Sequence, residues 1–231
     1  MPWYDSTYIL VLIGAGLSLL ASSHVKSTFA KFSRVRSFSG MTGAQAAARL
    51  LSSQGIHDVR IEQVAGELTD HYDPRSRVLR LSTSVYGSTS IAAIGVAAHE
   101  CGHALQHDCG YAPLTIRGML VPVANFGASI SWPLVLLGLI LFNGQTGELL
   151  IQIGILLFCA VVLFQIVTLP VEFNASRRAL MLLESSGILG SEELPGTRKV
   201  LSAAAMTYVA GVAASLLQLL RLVMLANRRR D

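Results

Sequence analysis

Four long apolar stretches constrain this chain more than anything else in it: residues 8–21, 118–142, 149–169 and 203–220. Inside a bilayer no water can satisfy backbone N–H and C=O groups, so a spanning segment must be a helix or part of a closed barrel. Continuous apolar runs of this length, without period-two alternation, point to helices. Composition agrees: 52% of residues are hydrophobic, 14% are charged, and the mean hydropathy is +0.53. That is the balance of a membrane protein rather than a soluble one. The expected fold class is therefore a mainly α integral membrane protein with about four apolar helices.

The flanks of these stretches set orientation. Trp3 and Tyr4 read as interfacial aromatics, and no basic region precedes the first stretch, so it reads as an anchor rather than a signal peptide. His24, Lys26, Lys31, Arg34 and Arg36 follow with no acid nearby, which places that end in the cytoplasm under the positive-inside rule. Pro122 and Pro133 lie in the second stretch, and the third is expected to stop at Pro170. Between those two stretches Asn143-Gly144-Gln145-Thr146-Gly147 is a polar turn without a basic residue. The last stretch is rich in Ala, Gly and Ser, which suits close helix packing, and it reads as a fourth span. Arg228, Arg229 and Arg230 after it run against that topology. The net charge of +4 thus flanks apolar runs, and no basic face interleaved with aromatics marks a nucleic-acid partner.

The polar part of the chain lies mainly between the first two stretches. Residues 41–55 form an amphipathic helix, with Thr42 as cap, Ala46, Leu50 and Leu51 as its apolar stripe, and Gly55 at its end. Residues 56–61 read as a strand. Asp73-Pro74-Arg75-Ser76 is turn chemistry between two strand-like runs, so a small β-hairpin or sheet edge precedes the next helix. That helix, 90–108, carries His99-Glu100-Cys101-Gly102-His103 in a small, apolar setting. Two histidines four apart share a helix face and can converge on one ion. A glutamate directly after the first projects to the side, where it can take a proton from an attacking water. This is the His-Glu-x-x-His signature of zinc peptidases. Cys101, Cys109 and Cys159 make no disulfide framework, and Cys101, off the face of the histidines, reads as packing.

A catalytic zinc takes three protein ligands and leaves one position open. A third histidine six residues on is excluded, because Cys109 stands there and Gln106 stands where that pattern needs Gly. His107 is rotated off the shared face. The downstream glutamates are Glu148, Glu172, Glu184, Glu192 and Glu193. Glu148 falls on the opposite side of the membrane, and Glu192 and Glu193 sit in a Gly/Pro-bearing loop. Two spans separate the metal helix from Glu172, so the chain returns to the same side before it, and there it begins a helix.

Several segments together resemble a known family. They are Asp70-His71-Tyr72-Asp73-Pro74-Arg75, Leu79-Arg80-Leu81-Ser82, Val85-Tyr86, Ser90-Ile91-Ala92-Ala93, Val96-Ala97-Ala98-His99-Glu100, Gly102-His103-Ala104, Leu169-Pro170-Val171-Glu172-Phe173 and Ala175-Ser176-Arg177-Arg178. The family is that of the YugP-like bacterial membrane zinc metallopeptidases, of gluzincin type. The resemblance runs nearly the whole length and includes the spacing of the apolar stretches. It implies a zincin-like catalytic helix, one Zn2+ per chain on His99, His103 and Glu172, and Glu100 as general base. HtpX-like peptidases are more distantly similar. Their second motif is Glu-x-x-x-Asp, the Asp supporting a ligand histidine; here Ser176 takes the Asp position, and Asn174 stands where the closer family often has an acid.

The functional expectation is a membrane zinc endopeptidase acting on peptide or protein substrates, membrane-associated or misfolded proteins among them, from a multi-pass position in a bacterial inner membrane with its site toward the cytoplasm. His71, Arg177 and Arg178 are candidate oxyanion or substrate-binding groups, and Val78, Leu79, Arg80 and Leu81 a candidate edge strand for an extended peptide. The rivals are a zinc-binding scaffold, which would need the histidines but not Glu100, and an intramembrane site-two peptidase, whose second ligand motif has no counterpart here. The chain divides on this reading into an anchor (1–24), a catalytic region (25–117), a two-helix membrane hairpin (118–170), a segment with the third ligand (171–202) and a C-terminal membrane helix with a basic tail (203–231).

Overall fold

The computed structural model describes residues 6–142 and 144–228. Trp3, Tyr4, Asn143, Arg229 and Arg230, each given a role above, lie outside the described residues. The elements run α1 (Tyr8–Phe32), α2 (Gly43–Ser53), β1 (Arg60–Val64), β2 (His71–Asp73), β3 (Val78–Ser82), α3 (Thr83–Tyr86), α4 (Ile91–Asp108), α5 (Ala112–Ile140), α6 (Gly144–Ser185) and α7 (Leu194–Arg228). Four of these helices, α1, α5, α6 and α7, are long and apolar enough to cross a membrane. The protein is mainly helical with one small sheet, as its apolar pattern requires.

The described chain forms two compact units, one from residues up to 21, 115–169 and 207 onward, the other from 22–114 and 170–206. In the first unit small residues let helices approach. A Cβ on Gly127 would lie 2.6 Å from the Leu157 carbonyl oxygen, one on Gly138 2.6 Å from that of Gly147, and one on Gly154 2.8 Å from that of Ser131. Such contacts replace the hydrophobic drive that is missing between helices in lipid. Large apolar side chains such as Leu19, Leu20, Met119, Ile140 and Leu156 point outward.

In the second unit α2 begins with a capping box: Gln45 N–H donates to Thr42 Oγ1 (3.2 Å) and Thr42 N–H to Gln45 Oε1 (3.0 Å). Its buried stripe of Ala46, Ala47, Leu50 and Leu51 packs into a core with Leu79, Leu81, Val85, Ile94, Ala98 and Leu183. The sheet order is β1-β3-β2, with β1 parallel and β2 antiparallel to β3. The Asp73 carboxylate closes the β2–β3 turn by accepting from Arg75 N–H (3.0 Å) and Ser76 Oγ–H (2.6 Å). Those hydrogen bonds, the Ser76 one foremost, hold its carboxyl below the usual range.

Two expectations are corrected here. Val78, Leu79, Arg80 and Leu81 do not form an edge. β3 is the middle strand, with Val78, Leu79 and Arg80 paired on both sides, so it is not an edge to which an extended peptide adds. Turn chemistry predicts the hairpin partner β2 but is blind to the parallel partner β1. Nor does the third apolar stretch stop at Pro170: α6 runs unbroken for 42 residues, with Pro170 inside it. A proline removes one helical hydrogen bond, and a long packed helix absorbs that loss. Likewise α7 begins at Leu194, so Pro195 and Gly196, expected in a loop, fall in its first turn, where proline's missing N–H costs nothing.

Candidate metal centre

α4 starts where Ser90 caps it, its Oγ accepting from Ala93 N–H at 3.2 Å, and stops before Gly110 at φ +62°. Between those limits its small residues let other helices come close. A Cβ on Gly102 would sit 2.5 Å from the Ala175 carbonyl oxygen of α6, so only glycine permits this crossing. The crossing puts Glu172 beside the two histidines of α4.

His99, His103 and Glu172 form one cluster, each offering a donor atom within 4.8 Å of the others. His99 Nε2 lies 3.2 Å and His103 Nε2 3.6 Å from Glu172 Oε2. Two ligands held at about 2.1 Å by a tetrahedral zinc are about 3.4 Å apart, so the separations of both histidines from Glu172 are of the size a zinc ion requires. The rings stand nearly perpendicular, at 85° with centroids 4.7 Å apart. Glu172 is 2% exposed and lies in mid-helix, so a helix N-terminus does not explain its charge there.

The outer ring nitrogens are held as well. His99 Nδ1 is 3.1 Å from Ser176 Oγ, one turn after Glu172 on α6. His103 Nδ1 is 3.0 Å from Gln106 Oε1. The Gln106 amide nitrogen donates to the Val171 carbonyl (2.8 Å) and to Asn174 Oδ1 (3.0 Å), and Arg178 Nε donates to that same oxygen (2.8 Å). With its NH2 so engaged, Gln106 presents an acceptor to His103. Nδ1 of His103 therefore donates to Gln106, and Nε2 is the nitrogen turned to Glu172, the one a metal ion would take. Burial alone would depress the His103 imidazole, but the Glu172 hydrogen bond and the Glu100 charge outweigh it and raise it above its ordinary range. The site is one that attracts positive charge.

Glu100 is the contrast. Of the buried carboxylates Glu100, Glu172 and Glu193, it alone has no hydrogen bond or ion pair among the described residues. Cys101 packs against α2, its Sγ 3.7 Å from the Ala47 carbonyl, and burial pushes its thiol far up, which removes it as a thiolate ligand. His107 accepts or donates at Tyr72 Oη (2.9 Å), away from the cluster. His71 is exposed on β2, its Nδ1 at the Thr69 carbonyl (2.8 Å) and Nε2 near Arg80. Arg178 is tied to Asn174 and lies over the Tyr111 ring, while Arg177 is exposed. His71 does not join the cluster, and Arg178 meets it only through Asn174 and Gln106. Gln106 is the residue sequence reasoning missed. Its position one turn after His103 on the same helix was the available signal, but a lone glutamine does not announce its partners.

A family model described as "Putative neutral zinc metallopeptidase" matches residues 7–227. The chain is 50% identical over 222 residues to a protein of Bacillus subtilis (strain 168) named "Putative membrane protease YugP", covering 96% of this chain and 97% of that one. No solved structure gives a significant match. With the match extending from the first apolar helix to the last, the chain belongs to this family of neutral zinc metallopeptidases, built into a membrane.

Proposed function

We propose that this protein is a membrane zinc endopeptidase in which His99, His103 and Glu172 hold one zinc per chain and Glu100 is the general base. The observation that carries this reading is a single one. Three donors converge at ligand spacing with both imidazoles braced, and beside them stands Glu100, whose carboxylate acts on His103 through its charge and makes no hydrogen bond among the described residues. Zinc at such a site supplies Lewis acidity, lowering the pKa of a water and polarising a carbonyl. Ser176 and Gln106 keep the imidazoles aimed. Glu100 takes the proton of the attacking water and delivers it to the leaving amine. Its lack of a partner leaves both oxygens available for that transfer. A scaffold that only bound zinc would have no use for a carboxylate left unpaired beside the ligands. A donor for the developing oxyanion is still required, and His71, Arg177 and Arg178 are the residues to test. Substrates are peptides or proteins, with membrane-associated or misfolded chains favoured by a site so close in sequence to four apolar helices. The site faces the cytoplasm of a bacterial inner membrane on the charge pattern of residues 24–36.

The test uses detergent-purified full-length protein, with zinc measured by elemental analysis and casein hydrolysis in parallel. Wild type should hold one zinc and cleave. Glu100→Gln should keep zinc and lose about 10²–10⁴-fold in rate. Glu172→Ala should lose the metal. Zinc retained in Glu172→Ala would move the third ligand elsewhere, and an active Glu100→Gln would return the scaffold reading.

A further inference from the structure

A second concave feature lies away from the metal centre. α1 and α7 leave between their polar ends a cavity of about 440 Å³. Its wall carries His24 and Lys31 from α1 and Arg198 and Lys199 from α7, with no carboxylate among the lining residues. None of these four groups is in an ion pair among the described residues. Lys31, Arg198 and Lys199 are like charges gathered in a concavity without a counterion; they repel each other, and an anion relieves that repulsion.

The rest of the lining narrows what the anion is. Phe32, Ala203 and Met206 make part of the wall apolar, and Thr28 and Ser202 add hydroxyls. His24, Thr28 and Lys31 follow at helical spacing on α1, and Lys199, Ala203 and Met206 do so on α7, so each helix turns one face to the cavity. Along α7 the order is charge first and apolar side chain later, toward the part of the helix long and apolar enough to cross a membrane. The cationic character is also local. An adjoining groove that shares Phe32 and Lys199 is lined by Glu192 and Glu193 as well.

We propose that this cavity is a binding site for the phosphate headgroup of an anionic phospholipid, with Lys31, Arg198 and Lys199 on the phosphate and Ala203 and Met206, further along α7, against the first carbons of the acyl chains. A free phosphate shares the charge but has no use for the apolar wall. General attraction of a basic flank to an anionic membrane would spread over every exposed cation, whereas a pocket singles out those that line it.

The experiment places full-length protein in nanodiscs of mixed phosphatidylglycerol and phosphatidylcholine, and counts the lipids retained on release by native mass spectrometry. Wild type should retain phosphatidylglycerol in preference to phosphatidylcholine. The double variant Lys31→Gln/Lys199→Gln should lose that preference by at least about tenfold, while Lys26→Gln/Arg34→Gln, which removes the same charge from outside the cavity, should keep it. All these positions are exposed, so the variants fold, and an unchanged zinc content checks it. Equal loss in both double variants, or no preference in wild type, overturns the proposal. So does displacement of the retained lipid by millimolar inorganic phosphate, which would make the cavity a site for a free anion. Zinc content and casein hydrolysis stand apart from this readout, so the lipid site and the peptidase reading fail separately.

Discussion

The membrane-crossing helices and the metal centre both need two helices to come close, and they differ in how many residues they commit to it. Between α5 and α6 the work is shared by Gly127, Gly138 and Gly154, spread along the contact. Between α4 and α6 at the metal centre it falls on Gly102 against Ala175. The first contact carries no polar payload, and a local shift there costs only some packing. The second fixes donors 3.2 and 3.6 Å apart, where a shift of an ångström costs the site itself. Apolar packing spreads its tolerance, and a coordination site concentrates its dependence.

Pairing the same substitution at both crossings sharpens that contrast. Gly102→Ala should weaken zinc binding, measured by chelator competition, by more than about 100-fold and abolish hydrolysis. Gly127→Ala should keep zinc and activity while lowering thermal stability by about 1–3 kcal/mol. A Gly127→Ala protein that lost its zinc would erase the distinction. Next in size are the residues that hold the rings. Gln106→Leu strands the His103 Nδ1–H, the Val171 carbonyl and Asn174 together, and zinc affinity should fall about 10–100-fold. Ser176→Ala removes one hydrogen bond to His99 and should lie at the low end of that range. The reverse order would mean that the α6 hydroxyl, not the α4 amide, governs ligand geometry. The smallest effect is expected at the β2–β3 turn, remote in role from either crossing. Asp73 has its carboxyl pKa lowered in the folded state, so the stability it contributes is present above the unfolded value near 4 and fades as pH falls through the folded one. The difference in melting temperature between wild type and Asp73→Asn should therefore be flat from neutral pH down to about 5 and shrink below about 4. A difference that grew on acidification would contradict the hydrogen bonds seen in the turn.

What could be read in advance was what depends on near neighbours in the chain. The Thr42 cap, the bounds of the helix at 90–108 and the apolar length of four helices are all local, and all are found. The histidine pair is local as well. What could not be read depends on partners far apart. β1 meets β3 in parallel across 18 residues, and the turn signal between them points only to β2, which is why β3 looked like an edge. Pro170 is a strong breaker in isolation, and only the packing of a whole helix overrides it. Gln106 is silent in the sequence because its three partners are supplied by another helix and by the fold of its own.

The helix crossing at Gly102 bears on what the five-letter motif means in this fold. A motif with two free letters invites the idea that evolution could write anything there. Cys101 is sealed against Ala47 and Gly102 against Ala175, so neither letter is spare. α4 is read from three directions at once: by the candidate metal cluster through His99 and His103, by α2 through Cys101, and by α6 through Gly102. A transplant of the two histidines and the glutamate onto another helix would copy the chemistry's alphabet and leave out its spelling.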